Sequence, residues 1–428
     1  MPIHSRYLKD QSDKMNHAEI AVFLYFIVMA FQYPFEYYSD EGILPAKLVL
    51  YAFIILLWIF PLLMFWFNRP NLTPYRAVFL VVFSGIFLMS IWNGVITNYT
   101  GIGVISGIGV YLSILSAFCM CNIRTQAFEK AFVCLTPIAL AVLAGVLLFG
   151  NIDIQAAMDR DYTWTPIFFT TSFFWAYIPF LLLSFITKKH IVLSVLYWAG
   201  ALILNSLFLK RMIFVDTALI AIVVLFHFLA EGKIEFLKVL KFCLAILFLG
   251  GLATAIFWRA IGPLVMASVG RLFEISGGLL KFDRFVESFN YFKAASPLEI
   301  LLGKGFYGQH EGLGLVRYAL HVGWSNFILK GGIPLFLLVF IPYFKLLYLL
   351  PKYKYLPVAT KFSICMMMVY AAGLFYGNMH SFTPNMLLFF YSVFNVMDYR
   401  GKQAHCRELN SIYLKHDKIN RYLLRQSE

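Results

Sequence analysis

The stretch that decides the fold is residues 322–344, VGWSNFILKGGIPLFLLVFIPYF, which carries one charge, Lys330, in a run long enough to cross the hydrocarbon of a bilayer. Comparable runs recur along the chain, at about 18–34, 43–67, 77–97, 102–121, 131–150, 166–187, 191–208, 212–230, 242–258, 362–377 and 383–398. With the first stretch they make twelve. Of the 428 residues, 61% are apolar and only 13% charged, about half the charged share of soluble domains. Little chain remains for a water-soluble domain, so a soluble enzyme on a single anchor is excluded. Disorder is excluded by 45 Phe, 25 Tyr and 8 Trp. The expected fold is all-α: one polytopic membrane domain over 1–428.

Charge placement orients the spans. With the N-terminus in the cytoplasm, the two tails and the loops 68–76, 122–130, 188–190, 231–241 and 345–361 hold 23 Lys and Arg. The outer loops hold ten, seven of them in the long loop 259–321, and long loops escape the positive-inside rule. Both termini are thus expected in the cytoplasm. The net charge of +13 is explained by this asymmetry and needs no nucleic-acid partner. All six cysteines fall in spans or on the cytoplasmic side, so no disulfide framework is expected. The polar first 17 residues lead into an apolar run without a small-residue cleavage site, which reads as a retained span.

The loop 259–321 is too long for a connection and too apolar for a disordered one. Residues 264–275 and 282–292 mix apolar and charged residues in the manner of helices lying near the headgroup plane, so the loop is expected to fold back onto the membrane surface. Ser296, Pro297 and Glu299 have N-cap, N1 and N3 spacing for a short helix that Gly303 can end.

Three groups of residues could carry chemistry. Lys210 and Arg211 put two positive charges on a short outer loop, where the orientation rule disfavours them; they serve either as helix-end anchors or as a diphosphate-binding pair. In the long loop Arg284, Ser288 and Tyr291 fall at i, i+4 and i+7, one helical face, with Arg317 further on; sugars are bound by such combinations of cation, hydroxyl and ring. Seven basic residues there are accompanied by five acidic ones, so most of these charges read as mixed surface. The third group begins at Gly303-Lys304-Gly305, which lacks the spacing of a phosphate-cradling loop, and runs through His321 to Trp324, Asn326 and Gly331-Gly332. His321 stands where the loop re-enters the membrane, a position suited to moving a proton on a lipid-linked substrate or to bonding loop backbone. His310 reads as plain loop, His227 as core, and His380, between the last two spans, as a residue able to face the same cavity. No metal-ligand spacing occurs, so neither metal nor cofactor is expected.

The segment Leu302-Gly303-Lys304-Gly305-Phe306, followed by His321, Asn326 and Gly331-Gly332 entering a span late in a polytopic chain, resembles the bacterial O-antigen polymerase and ligase superfamily. That resemblance implies a GT-C-like membrane glycosyltransferase in the bacterial inner membrane. It would act at the periplasmic face on undecaprenyl-diphosphate-linked oligosaccharide, both donor and acceptor, in concert with a chain-length regulator. By the same similarity Arg211 and Arg284, with Lys210 and Arg317, match donor-diphosphate positions and His321 the catalytic one; Tyr291, Trp324, Asn326 and His380 are the expected sugar-binding residues. Ligase-type members follow the histidine with a polar residue; here Val322 does so, which favours a polymerase. The alternatives are a ligase, a flippase, which would carry more charge at mid-span, and an acyltransferase, which would show a His/Asp pair within the spans.

Overall fold

The computed structural model describes residues 72–96, 125–149, 178–207, 211–232, 283–305, 308–311, 320, 322–376 and 385–399, with isolated positions between 20 and 66 and Ala117. Among the described residues all regular structure is helical and no β-strand occurs. In chain order the helices are α1 (Pro74–Ile96), α2 (Thr125–Phe149), α3 (Ile178–Thr187), α4 (Ile191–Leu207), α5 (Arg211–Ala230), α6 (Asp283–Ala294), α7 (Pro297–Leu302), α8 (Gly323–Leu349), α9 (Val358–Tyr376) and α10 (Asn385–Met397). Two stretches among the described residues are long and apolar enough to cross a membrane: Pro74–Trp92, and Gly323–Tyr355, in which α8 runs on into a 3₁₀ turn. Residues 345–355, expected as loop, are therefore helical, because Leu346, Leu349 and Tyr353 have a core to bury against.

Local chemistry starts and stops these helices. Thr73 accepts the Arg76 amide ahead of Pro74, whose missing N–H costs nothing at a first helical position. A turn at 188–190, with Lys188 and His190 in the left-handed region, joins α3 to α4. Gly232, also left-handed, closes α5 by donating to Leu229.

Helix α8 packs against α1, α7, α9 and α10. From Leu388 to Val396, α10 is buried all round, as expected of a helix at the centre of a bundle. Phe79 and Phe83 of α1 meet Phe390 and Phe394 of α10 edge to face, Phe79 at centroid distances of 5.0 and 4.8 Å. Facing away from the bundle, α1 shows Val78, Val81, Leu88 and Trp92, and α8 shows Ile333, Leu337, Ile341, Phe344 and Leu347. Such apolar stripes suit lipid.

One end of the bundle is tied by polar contacts that sequence reading missed. Arg76 is buried against Asp398, with Nη2 and Nε 2.6 and 2.7 Å from Oδ2, while Thr73 donates to Oδ1 at 2.8 Å. Lys345 donates to the Met397 carbonyl, and Lys361 pairs with Glu231. At the same end His227 is indeed core: its Nδ1 lies 2.8 Å from the Tyr353 hydroxyl, itself 3.2 Å from Cys365 Sγ. The start of α1, the ends of α5, α8 and α10 and the start of α9 thus share one end. Removing one partner of a buried ion pair strands the other, at about 3–5 kcal/mol. We expect Asp398→Ala to lower the midpoint of thermal unfolding in detergent by several degrees; an unchanged midpoint would show that the pair contributes little.

Candidate active site

The opposite end of α8 is built around a break. Gly331 (φ −135°, ψ 15°) and Gly332 (φ 63°, ψ −164°) leave helical geometry inside α8. Pro334 has no N–H to offer the Lys330 carbonyl, and the reversal at Gly332 takes the Ile333 amide away from the Leu329 carbonyl. Two orphaned acceptors in an apolar span would each cost several kcal/mol. The loop after α7 supplies both donors: the Lys304 amide bonds Leu329 O at 2.6 Å and the Gly305 amide bonds Lys330 O at 2.9 Å.

Only glycine allows this approach. Gly303 (φ 75°) lies so close to the break that a Cβ there would stand 2.6 Å from the backbone nitrogens of Gly331 and Gly332. A Cβ on Gly332 would stand 2.1 Å from Leu301 O, and one on Gly305 (φ 74°) 2.8 Å from the Ser90 amide of α1. The loop is set up from the other side by α7, which forms as its sequence predicts. Ser296 caps it, Pro297 opens it, and Glu299 Oε2 accepts the Ser296 amide at 2.9 Å to complete a capping box; Gly303 ends it. Partial burial pushes the Glu299 carboxyl up, but hydrogen bonds from Ser296 and the Lys304 ammonium 3.0 Å away outweigh it and hold the group below its ordinary range.

Against this junction α6 lays its polar face. Glu287, Ser288 and Tyr291 are buried, so Ser288 and Tyr291 do share a face, as their spacing predicts. Ser325 Oγ donates to Val322 O at 2.8 Å, which leaves Ser288 as donor in the 2.8 Å contact between the two hydroxyls. Asn326 Oδ1 accepts the Leu320 amide at 3.3 Å. Tyr291 meets the His310 ring edge to face at 6.0 Å, with Lys304 Nζ 5.9 Å from its centroid. Its buried hydroxyl has no hydrogen-bond partner among the described residues. Burial, and secondarily the Glu299 charge, push that phenol well above its ordinary range, so it stays a neutral donor. Trp324 is half-buried, one face stacked on Phe292 at 5.5 Å.

Of the expected site residues, Trp324 and Asn326 stand at the entry to α8, and Tyr291 packs against Leu320 and Leu329 beside it. His321, Lys210, Arg317 and His380 lie outside the described residues, as do the side chains of Arg211, which opens α5, and Arg284, the second residue of α6. The immediate neighbours of His321, Leu320 and Val322, are both buried at the junction. Sequence reading assigned Glu287 to a mixed-charge surface and His310 to plain loop, yet both are buried here, with Lys330. Glu287 stands one turn before Tyr291, a spacing that could have found it; His310 carries no such signal. Among the described residues no group of three His, Cys, Asp or Glu side chains could hold a metal ion. The arrangement offers a carboxylate, an imidazole and hydroxyls shielded from water, which suits proton transfer to or from a substrate hydroxyl.

Comparison with known proteins finds no matching family, no similar characterised protein and no similar solved structure.

Two predictions follow from this geometry. Gly332→Ala and Gly303→Ala should each cost about 1–3 kcal/mol through backbone strain and collision, lowering the fraction of protein that elutes as a single folded species in detergent. Gly85→Ala, with open space at its Cβ, should leave that fraction unchanged. Equal behaviour of all three would refute the docking. Because the folded state holds Glu299 below its ordinary range, the contribution of its cap is present at neutral pH and lost as pH falls through the lowered value. Amide exchange in residues 296–302, corrected for intrinsic rates, should accelerate on acidification; a flat profile would contradict the cap.

Proposed function

We propose that this chain is a polytopic membrane glycosyltransferase of the O-antigen polymerase kind, with about twelve spans and its site at the periplasmic face of a bacterial inner membrane. A glycan on undecaprenyl diphosphate is the donor, and a sugar hydroxyl of a second lipid-linked repeat unit is the acceptor. The acceptor oxygen attacks the anomeric carbon, the bond from that carbon to the diphosphate oxygen breaks, and undecaprenyl diphosphate leaves with inversion. Arg211 and Arg284, with Lys210 and Arg317, meet the charge that grows on the departing diphosphate. His321 takes the hydroxyl proton or holds that hydroxyl in line. Neither nucleotide sugar nor metal is required by this scheme.

The observation that carries the reading is the buried polar face of α6, with Glu287, Ser288 and Tyr291 set against Ser325, Asn326 and the flanks of His321 where the chain enters an apolar span. A sugar hydroxyl brought there would find proton acceptors in a site depleted of water. The tied end of the bundle, gathering residues from loops assigned to one side, supports placing this junction on the other. A flippase has one observation in its favour, the broken helix, since transporters coordinate cargo on such exposed backbone. Here, however, the freed Leu329 and Lys330 carbonyls bond the chain's own amides.

In cells that depend on this protein for their surface polysaccharide, His321→Ala and Arg211→Ala should cut glycans longer than one repeat by about 100-fold at unchanged protein level. Arg211→Lys should also be defective, because a point charge does not reproduce the guanidinium fork. Normal chain lengths in His321→Ala and Arg211→Ala would overturn the assignment; full activity of Arg211→Lys alone would reduce the arginine to simple charge.

A further inference from the structure

Helix α6 turns polar side chains inward. Its buried face carries Glu287, Ser288 and Tyr291, whereas Phe285, Val286 and Phe289 are exposed beside Asn290 and Lys293, Phe289 at 69%. A helix bathed in water does the reverse. Its neighbour α7 buries no residue at all and exposes Leu298, Leu301 and Leu302. The two helices therefore expose five large apolar side chains, Val286, Phe289, Leu298, Leu301 and Leu302, with Phe285 partly covered.

That surface continues the one α8 begins. Past its break α8 exposes Ile333, Leu337, Ile341, Phe344 and Leu347, while before the break residues 323–332 are buried except for half-exposed Trp324. Where the exposed stripe of α8 stops, α7 takes over, since Leu301 and Leu302 lie against Gly332. Lengths agree with this division. Residues 333–349 rise about 25 Å, most of a hydrocarbon core of about 30 Å, and the following 3₁₀ turn, with Lys352 and Lys354 exposed, emerges on the far side. Residues 323–332 add about 15 Å and so stand at the membrane interface, jacketed by α6 and α7. Lys293 is exposed two turns past Val286 and one past Phe289, placed to keep its stem among acyl chains and its ammonium among phosphates.

The geometry points to α6 and α7 as an interfacial anchor: their exposed faces insert into the lipid leaflet around the outer half of α8, with Lys293 on anionic headgroups. This rests on the membrane reading of the chain but not on its catalytic chemistry. It places the buried polar junction at headgroup depth, where the phosphates of a lipid-linked substrate already reside, so that such a substrate enters sideways without leaving the bilayer.

The test is spin labelling of the full chain in nanodiscs of phosphatidylethanolamine and phosphatidylglycerol. Single labels are placed at Phe289→Cys, Leu298→Cys, Ile341→Cys and Lys352→Cys in a background whose native cysteines are replaced. Collisions with lipid-soluble oxygen are compared with those of a water-soluble nickel chelate. Ile341 serves as the mid-span reference and Lys352, exposed in the 3₁₀ turn, as the aqueous one. The anchor predicts oxygen-to-nickel ratios at 289 and 298 between the two references and several-fold above that of Lys352. Ratios equal to Lys352, with Ile341 in lipid, would overturn the anchor and leave the spans standing. Protection of 289 and 298 from both reagents would overturn it in favour of a protein partner. An aqueous Ile341 would overturn the membrane reading itself, and the anchor with it.

Discussion

Two backbone carbonyls set the terms for this end of the molecule. Where α8 breaks at Gly331-Gly332, Leu329 and Lys330 would be left with unmet acceptors in an apolar environment, and the Lys304 and Gly305 amides meet them. Everything near the junction is arranged so that they can. The capped helix α7 delivers the loop at a fixed angle, left-handed glycines turn it, and glycine on both sides lets backbone approach backbone. A side chain at any of these places would push the loop off, reopen the break, and release the surface on which α6 rests.

The consequence for chemistry is a buried polar cluster in a molecule otherwise rich in hydrocarbon. Glu287, Ser288 and Tyr291 of α6 and His310 of the following loop are held inward, while Val286 and Phe289 face outward beside Asn290 and Lys293. Polar groups so placed are costly unless bonded. Ser288 and Ser325 satisfy one another, and Asn326 is engaged by Leu320; the Tyr291 phenol, without a partner among the described residues, is the group best placed to meet a ligand hydroxyl.

Much of the fold is legible along the chain, because apolar runs and their punctuation act locally. The run at 77–97 appears as α1, and Ser296, Pro297, Glu299 and Gly303 each take the cap position their spacing assigns. What stays hidden depends on distance. Arg76 and Asp398 are 322 residues apart, and nothing near either announces a buried pair. Gly303 reads as a helix end and Gly332 as part of an apolar span until the two segments are seen to touch. Glu287 looks like surface because acidic residues usually are, although its spacing one turn before Tyr291 puts it on the buried face of α6. Of the candidate site, Ser288 and Tyr291 on α6 follow from helical spacing, whereas His310 is brought in by a loop whose course no periodicity encodes.

The central claim is that the glycine loop is bonded to the broken helix, and amide hydrogen exchange of the full chain in nanodiscs tests it most directly. Peptides ending on either side of Lys304 and Gly305 should show both amides protected as strongly as the core of α8, with that protection abolished by Gly332→Ala. Exchange of the two amides at the rate of exposed backbone in the wild-type protein would contradict it.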